Sequence, residues 1–199
     1  MIQQKAVFLD RDGVLIEDVS LLTRRDQVRV CKKTSEALKV LNRSGYKPFV
    51  VSNQTVVARG LATEEDVEEL NSFIQKLLLE KSGCKIEHFY YCPHHPEATL
   101  PQYRIKCKCR KPRPGMLLQA AREYNLDLSA SFMVGDRISD IVAGHKAGCT
   151  TILVKTGMHQ ANPIVSDGMD LSVEPDYVCT DLYEASMIIL EDRNSPPNT

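Results

Sequence analysis

Short apolar runs alternate along this chain with longer amphipathic stretches. The apolar runs predict strands at residues 6–9, 48–52, 87–91, 131–135, 150–154 and 177–178. The amphipathic stretches predict helices at residues 34–44, 64–81, 115–124, 140–147 and 183–191, the second of them after an N-cap at Thr63. Because strands that alternate with helices favour a parallel sheet covered on both faces, we expect an α/β fold with a Rossmann-like sheet.

Length and composition predict one globular domain over residues 1–199. The chain has 199 residues and no linker long enough to divide it, and 43% of its residues are hydrophobic. Its net charge of -1 offers no basic excess for neutralising a nucleic-acid backbone, so we expect no nucleic-acid partner. We expect a cytoplasmic monomer with no membrane association, because the sequence shows neither a signal peptide nor an apolar segment of roughly 18 residues. The polar residues 194–199 are expected to be disordered.

A pair of carboxylates follows the first predicted strand. Asp10 and Asp12 stand two residues apart, and Gly13 allows a sharp turn directly after them. Since like charges at this range repel each other, the pair favours a bound cation. Taken alone, the pair could equally be a solvated turn with incidental acidic residues.

Further polar groups follow other predicted strands. Ser52 ends the second predicted strand, and Asn53 and Gln54 follow it; a hydroxyl and an adjacent backbone N–H at a strand end can bind a phosphoryl oxygen. Arg110 and Lys111 precede the helix at residues 115–124 and would supply fixed positive charge. Each group taken singly is also consistent with an ordinary polar loop or a solvated basic patch.

The fourth predicted strand ends in another carboxylate. Asp136 follows Gly135, and Arg137 and Asp140 come next in the sequence. Since ligands of parallel sheets bind at the carboxyl ends of strands, Asp10 and Asp136 are expected to meet there and to hold magnesium. Asp140 has two interpretations: a supporting partner of the metal site, or an acidic residue that favours the start of its helix.

Three cysteines and a histidine cluster in one segment. Cys92, His94, Cys107 and Cys109 offer three sulfurs and an imidazole, a set that suits tetrahedral zinc in a structural site. His95 competes with His94 for the imidazole position, and we prefer His94 on its spacing. The remaining cysteines are isolated in sequence and are expected to be buried apolar residues: Cys31, Cys84, Cys149 and Cys179.

The order of these motifs resembles the haloacid dehalogenase-like phosphatase superfamily. The resemblance implies that Asp10 attacks phosphorus to form an aspartyl phosphate and that Asp12 acts as general acid and base. It also implies that Asp10, the backbone carbonyl of Asp12 and Asp136 bind magnesium. Lys111 and Ser52 would hold the transferred phosphoryl oxygens.

Within this superfamily, the segment 91–116 resembles the zinc loop of heptose 1,7-bisphosphate phosphatases. The resemblance runs over residues 6–157 and implies no large cap domain, a zinc-stapled loop at residues 92–109, and removal of a 7-phosphate on the way to nucleotide-activated heptose for lipopolysaccharide or other surface polysaccharide. Arg110 matches the family's substrate-recognition arginine. The residues expected to contact phosphate or sugar are Ser52, Asn53, Gln54, Thr55, Arg110, Lys111, Asp18 and Arg137.

The sequence departs from the family pattern near the sugar side. Val14 and Glu17 replace a threonine and an asparagine, residues 55–57 replace Ser-Gly-Ile, and residues 18–21 lack the usual His-Gly-Tyr. Histidinol-phosphate phosphatase or another small phosphomonoesterase is therefore an alternative, although its zinc loop is typically shorter. An inactive binding module and a zinc-finger-type nucleic-acid binder are non-enzymatic alternatives, opposed by the intact acidic motifs and by the absence of a basic recognition helix.

Overall fold

Six parallel strands form a single sheet in a computed structural model that describes residues 3–157 and 170–194. The strands lie in the order β3-β2-β1-β4-β5-β6. Their bounds are β1 Ala6–Leu9, β2 Lys47–Asn53, β3 His88–Cys92, β4 Phe132–Gly135, β5 Thr150–Val154 and β6 Tyr177–Cys179. The helices are α1 Thr34–Ser44, α2 Thr55–Ala58, α3 Glu64–Ser82, α4 Gly115–Tyr124, α5 Ile138–Ala147 and α6 Leu182–Asn194. The predicted α/β fold is confirmed.

Strand β1 is buried on both faces, as expected for the centre of a parallel sheet. Val7 and Leu9 face a core that includes apolar side chains of α1, α3 and α6. Ala6 and Phe8 face a second core formed with α4 and α5. Helices therefore cover both faces of the sheet, because the alternation of side chains along β1 supplies apolar surface to each.

Local capping explains where the long helix α3 begins and ends. Asp66 N donates to Thr63 Oγ1 at 3.1 Å, and Thr63 N donates to Asp66 Oδ2 at 2.8 Å. This reciprocal pair satisfies two amides at the helix start, as the N-cap predicted at Thr63 requires. At the other end Gly83 takes a φ of 70°, a left-handed conformation that glycine adopts without strain.

The main differences between the observed and the predicted elements lie at three helices. The single-turn helix α2 is too short to leave a periodic pattern and was not predicted. Helix α5 begins at Ile138 rather than at residue 140, because Asp140 accepts a hydrogen bond from Arg137 N and so caps the first turn. Helix α6 runs to Asn194, beyond the predicted end. Residues 195–199 of the expected disordered tail lie outside the described residues.

The strand order places a crevice next to β1. After β1 the chain builds β2 and β3 on one side and then returns to place β4 on the other side of β1. Ligands of such sheets bind at the carboxyl ends of the strands where the order reverses, here after β1 and β4.

Residues 10–33, between β1 and α1, contain only the short 3-10 turn Arg25–Gln27, so no cap domain is inserted there. Across the described residues, no helix has both the length and the apolar character that crossing a bilayer requires.

Candidate active site

A buried lysine lies between two carboxylates at the carboxyl end of β1. Lys111 Nζ is 2.8 Å from Asp10 Oδ1 and 2.6 Å from Asp140 Oδ1. The same ammonium donates to the carbonyl oxygen of Val51, at 2.6 Å. All three ionisable side chains are at least nine-tenths buried, so their charges are poorly screened by water.

A third carboxylate completes this cluster. Asp136 follows β4 and is fully buried, and one oxygen from each of Asp10, Asp136 and Asp140 lies within 4.8 Å of the others. Three carboxylates against the one ammonium of Lys111 leave a formal charge of −2. Hard oxygen donors with this excess of negative charge suit a divalent cation such as Mg²⁺, so the residues present fit the metal that the sequence predicts.

Burial and charge pull the pKa values in this cluster in opposite directions. Burial raises the pKa of Asp10 and Asp140 adds to the rise, while Lys111 counteracts both. Burial alone would lower the pKa of Lys111, but the two carboxylates outweigh it and hold that pKa above its usual value. Lys111 is therefore a permanent cation at neutral pH.

Two glycines leave the space that the carboxylates need. Gly13 has a φ of +87°, and a Cβ added there would lie 2.6 Å from Asp136 Oδ2. A Cβ added at Gly135 would collide with the side chain of Asp140. Glycine at position 13 therefore lets the first motif approach Asp136, and glycine at position 135 lets the first turn of α5 pack against the end of β4.

The polar residues that end β2 support the cluster from one side. Ser52 is buried and its Oγ accepts a hydrogen bond from Gln54 Nε2, at 2.6 Å. Asn53 Nδ2 donates to Lys111 O and Asn53 Oδ1 accepts from Lys111 N, both at 3.0 Å. Asn53 therefore fixes the backbone of the lysine. Thr55 is the half-buried first residue of α2.

Asp12 is held by a buried network that the sequence analysis did not predict. Its carboxylate accepts from Arg11 and from Gln54 Nε2, which is 3.0 Å from Oδ2. Arg11 is only 1% exposed, and its Nη1 donates to Asn71 Oδ1 at 2.9 Å. The one sequence signal for this contact was a polar Asn71 among the apolar positions of α3.

Two predicted substrate residues pair with each other. Arg137 Nη2 is 2.7 Å from Asp18 Oδ2, and Asp18 Oδ1 accepts from Ser20 N at 2.7 Å. This ion pair ties the loop after β1 to the start of α5. The Arg137 side chain is 43% exposed and lies at the rim of the site.

The four predicted zinc ligands come together although they lie on two segments of the chain. Cys92 Sγ is 3.4 Å from Cys107 Sγ, 3.1 Å from Cys109 Sγ and 3.7 Å from His94 Nδ1. Tetrahedral zinc with bonds of about 2.3 Å to sulfur would separate neighbouring sulfurs by roughly 3.8 Å. The observed sulfur–sulfur separations of 3.4 and 3.1 Å are shorter than this value, and the three sulfurs with one imidazole nitrogen are a donor set that suits zinc.

One cysteine of this group is predisposed to be a thiolate. The pKa of Cys109 is lowered to about 5, first by its hydrogen bond with Cys92 and then by contacts with Cys107 and His94, against the effect of burial. A thiolate is the form that ligates a metal.

His95 and Arg110 lie beside the cysteine cluster. His95 Nδ1 accepts from Glu97 N at 3.1 Å, so this ring nitrogen is occupied outside the cluster. Burial lowers the pKa of His95, and the charges of Arg110 and Arg59 lower it further. Arg110 Nη1 donates to the carbonyl of His94 at 3.0 Å, while its buried Nε has no hydrogen-bond partner among the described residues. Arg110 therefore offers a donor next to Lys111.

A family model described as HAD-hydrolase-like matches residues 108–185. The D-glycero-beta-D-manno-heptose-1,7-bisphosphate 7-phosphatase of Pasteurella multocida is 43% identical over 166 residues, which are 83% of this chain and 87% of that protein. The D-glycero-alpha-D-manno-heptose-1,7-bisphosphate 7-phosphatase of Photorhabdus laumondii is 38% identical over 160 residues, covering 80% of this chain and 87% of the relative. Relatives of this chain therefore include enzymes named for either anomer.

The fold of this chain also matches a solved structure of a heptose 1,7-bisphosphate phosphatase. The D,D-heptose 1,7-bisphosphate phosphatase of B. bronchiseptica, in complex with magnesium and phosphate, superposes with a TM-score of 0.78 at 28% sequence identity. The match covers 95% of this chain and 99% of that one.

Proposed function

Because this chain belongs to the family of D-glycero-D-manno-heptose 1,7-bisphosphate 7-phosphatases, we propose that it removes the 7-phosphate of that sugar through an aspartyl phosphate on Asp10. The observation that carries this mechanism is the buried group at the carboxyl end of β1. There Asp10 is 2.8 Å from the permanent cation Lys111, in a cluster with Asp136 and Asp140. A carboxylate beside a fixed cation is suited to attack a phosphoryl group whose negative charge the cation offsets.

The reaction requires two displacements at phosphorus. In the first, an Asp10 oxygen forms a bond to phosphorus, the bond to the sugar oxygen breaks, and Asp12 gives that oxygen a proton. In the second, Asp12 takes a proton from water, the water oxygen bonds to phosphorus, and the bond to Asp10 breaks. Each step leaves Asp12 in the protonation state that the next step requires.

Lys111 and Ser52 hold the transferred oxygens in this proposal. Lys111 is kept in place by Asp140 and by the carbonyl of Val51, and Asn53 fixes its backbone. We infer that Asn53 positions the lysine instead of touching phosphate. Magnesium held by Asp10, the Asp12 carbonyl and Asp136 would, when bound, neutralise charge on the phosphoryl oxygens.

The residues around the mouth provide sugar and second-phosphate contacts. Arg110 has a free buried donor, and Thr55 lies at the start of α2. Asp18 and Arg137 already bond to each other, so we propose that they act as a pair, with the half-exposed guanidinium facing the substrate.

We propose that Cys92, His94, Cys107 and Cys109 bind a structural zinc ion. The support is their donor chemistry and the short distances between their ligand atoms. The loop leads directly into Arg110 and Lys111, so zinc would fix the position of both cations. The monomeric state, the cytoplasmic location and the place in polysaccharide synthesis stay predictions from the sequence.

A substrate panel tests the proposed function. Phosphate release is measured with both anomers of heptose 1,7-bisphosphate, fructose 1,6-bisphosphate and histidinol phosphate. We expect the highest kcat/KM with a heptose bisphosphate, with the 1-phosphate retained in the product by phosphorus NMR. A higher kcat/KM with histidinol phosphate would assign the chain to the alternative activity.

A further inference from the structure

Arg11 is a buried cation that the mechanism above does not use. It stands between the nucleophile and the general acid in sequence and is the largest side chain with almost no exposed surface. A buried guanidinium is costly unless its donors are paired, so its partners indicate why it is there.

Two of the three side chains that accept hydrogen bonds from Arg11 are Asp12 itself and Gln54, which also bonds to Asp12. Nε and Nη2 each contact both carboxylate oxygens of Asp12, at distances from 3.0 to 3.4 Å. Nη2 also donates to Gln54 Oε1 at 2.7 Å, and the other end of Gln54 donates to Asp12 at 3.0 Å. Nη1 is held by Asn71 of α3 at 2.9 Å.

This arrangement fixes one face of the Asp12 carboxylate and leaves the other open. The Asp12 side chain is 22% exposed, whereas the Arg11 side chain is 1% exposed. A planar fork of donors restricts a carboxylate far more than a single ammonium would. Arg11 therefore contacts Asp12 from the protein interior, and part of the Asp12 side chain stays accessible to solvent.

We propose that Arg11 is a positioning residue that aims Asp12 at the leaving oxygen. The inference rests on the proposed function, since it requires Asp12 to protonate the leaving group after Asp10 attacks. Proton transfer depends on the distance and alignment of the donor, so a loosened Asp12 slows cleavage only where a proton is needed.

The main competing explanation is structural. Arg11 joins the turn after β1 to α3 through Asn71, and its loss could simply disturb the whole site. The two explanations differ in their dependence on the leaving group. If Arg11 positions Asp12, replacing it slows the cleavage of substrates whose leaving group needs a proton. If its loss disturbs the whole site, cleavage of every substrate is slowed.

The test compares Arg11→Met and Arg11→Lys with the wild-type enzyme by rapid quench, measuring formation of the aspartyl phosphate. Two substrates are used: heptose 1,7-bisphosphate, whose sugar oxygen needs a proton, and p-nitrophenyl phosphate, whose leaving group does not. For Arg11→Met we expect a loss on the order of 100-fold with the sugar and less than about threefold with the nitrophenyl ester. Arg11→Lys keeps the positive charge but loses the pair of parallel N–H donors. It should show the same difference between the two substrates with a smaller loss of rate, so the test can still be made if Arg11→Met folds poorly.

A double-mutant cycle provides the second measurement. In an Asp12→Asn background, Arg11→Met should cause no further loss in the rate of aspartyl phosphate formation, because the carboxyl group that Arg11 positions is absent. Arg25→Met serves as the control, since Arg25 is an exposed arginine paired with Glu69 of α3. Equal losses with both substrates, or the same loss in the Asp12→Asn background, would overturn the positioning role. Absence of aspartyl phosphate in the wild-type enzyme would instead overturn the covalent mechanism itself.

Discussion

Replacing Lys111 with methionine removes the only ammonium in the buried carboxylate cluster. The substitution keeps an unbranched side chain that is one atom shorter, and it changes the formal charge of the cluster from −2 to −3, since Asp10, Asp136 and Asp140 remain. It also leaves the carbonyl of Val51 without its 2.6 Å donor.

The distances set the size of the effect. Charges 2.6 to 2.8 Å apart attract by roughly 6 kcal/mol per pair at an effective dielectric constant of about 20, before the cost of desolvation is subtracted. Removing one partner of a buried ion pair lowers the free energy of unfolding by about 3–5 kcal/mol. For a chain of 199 residues, this free energy corresponds to a fall in Tm of roughly 6–20 °C.

Two assays measure the consequence. Thermal unfolding with and without magnesium should show the predicted fall in Tm, with a larger rise on adding magnesium than in the wild-type protein, because the cluster is more negative. Phosphate release should fall by at least about 100-fold, since a fixed cation at the transferred oxygens is lost. Lys39→Met is the matched control, because Lys39 is an exposed residue of α1. A Lys111→Met protein that melts and turns over like the Lys39→Met control would refute the reasoning.

Four further predictions concern the two catalytic aspartates and the metals. Asp10→Asn should abolish turnover without loss of fold, and normal phosphate release by a folded variant would exclude the covalent route; Asp12→Asn should let an aspartyl phosphate persist as a mass increase on the intact protein. Manganese should replace magnesium and calcium should not, because calcium prefers longer bonds and more ligands; full activity in chelator-treated, metal-free buffer would contradict this. Cys107→Ala and Cys109→Ala should lower both Tm and activity, and elemental analysis should find one zinc per chain; unchanged kinetics of Cys109→Ala, or no zinc in fresh protein, would contradict a structural zinc site.

Much of the fold was predictable because its signals are local. The runs at β1 and β4 are apolar throughout, as is typical of strands buried on both faces, and β2 and β5 each contain an apolar run. The Thr63 cap is a short-range motif. Because ligands of parallel sheets bind at the carboxyl ends of the strands, the strand pattern alone predicts that Asp10 and Asp136 lie at one edge of the sheet. The cluster of three cysteines and a histidine was predictable for a similar reason, since it consists of two pairs that are close in sequence.

The sequence by itself determined which reactive groups the chain carries and on which strand ends they stand. Only the tertiary structure decided which of them touch. Arg11 meets Asn71 across 60 positions of sequence, and Asp18 meets Arg137 across 119. Asp140 was expected to cap a helix or to support the metal; it does cap α5, and its second oxygen binds Lys111. These contacts depend on how far each loop folds back over the sheet edge. No spacing in the sequence encodes that distance, because it is set by the packing of helices against both faces of the sheet.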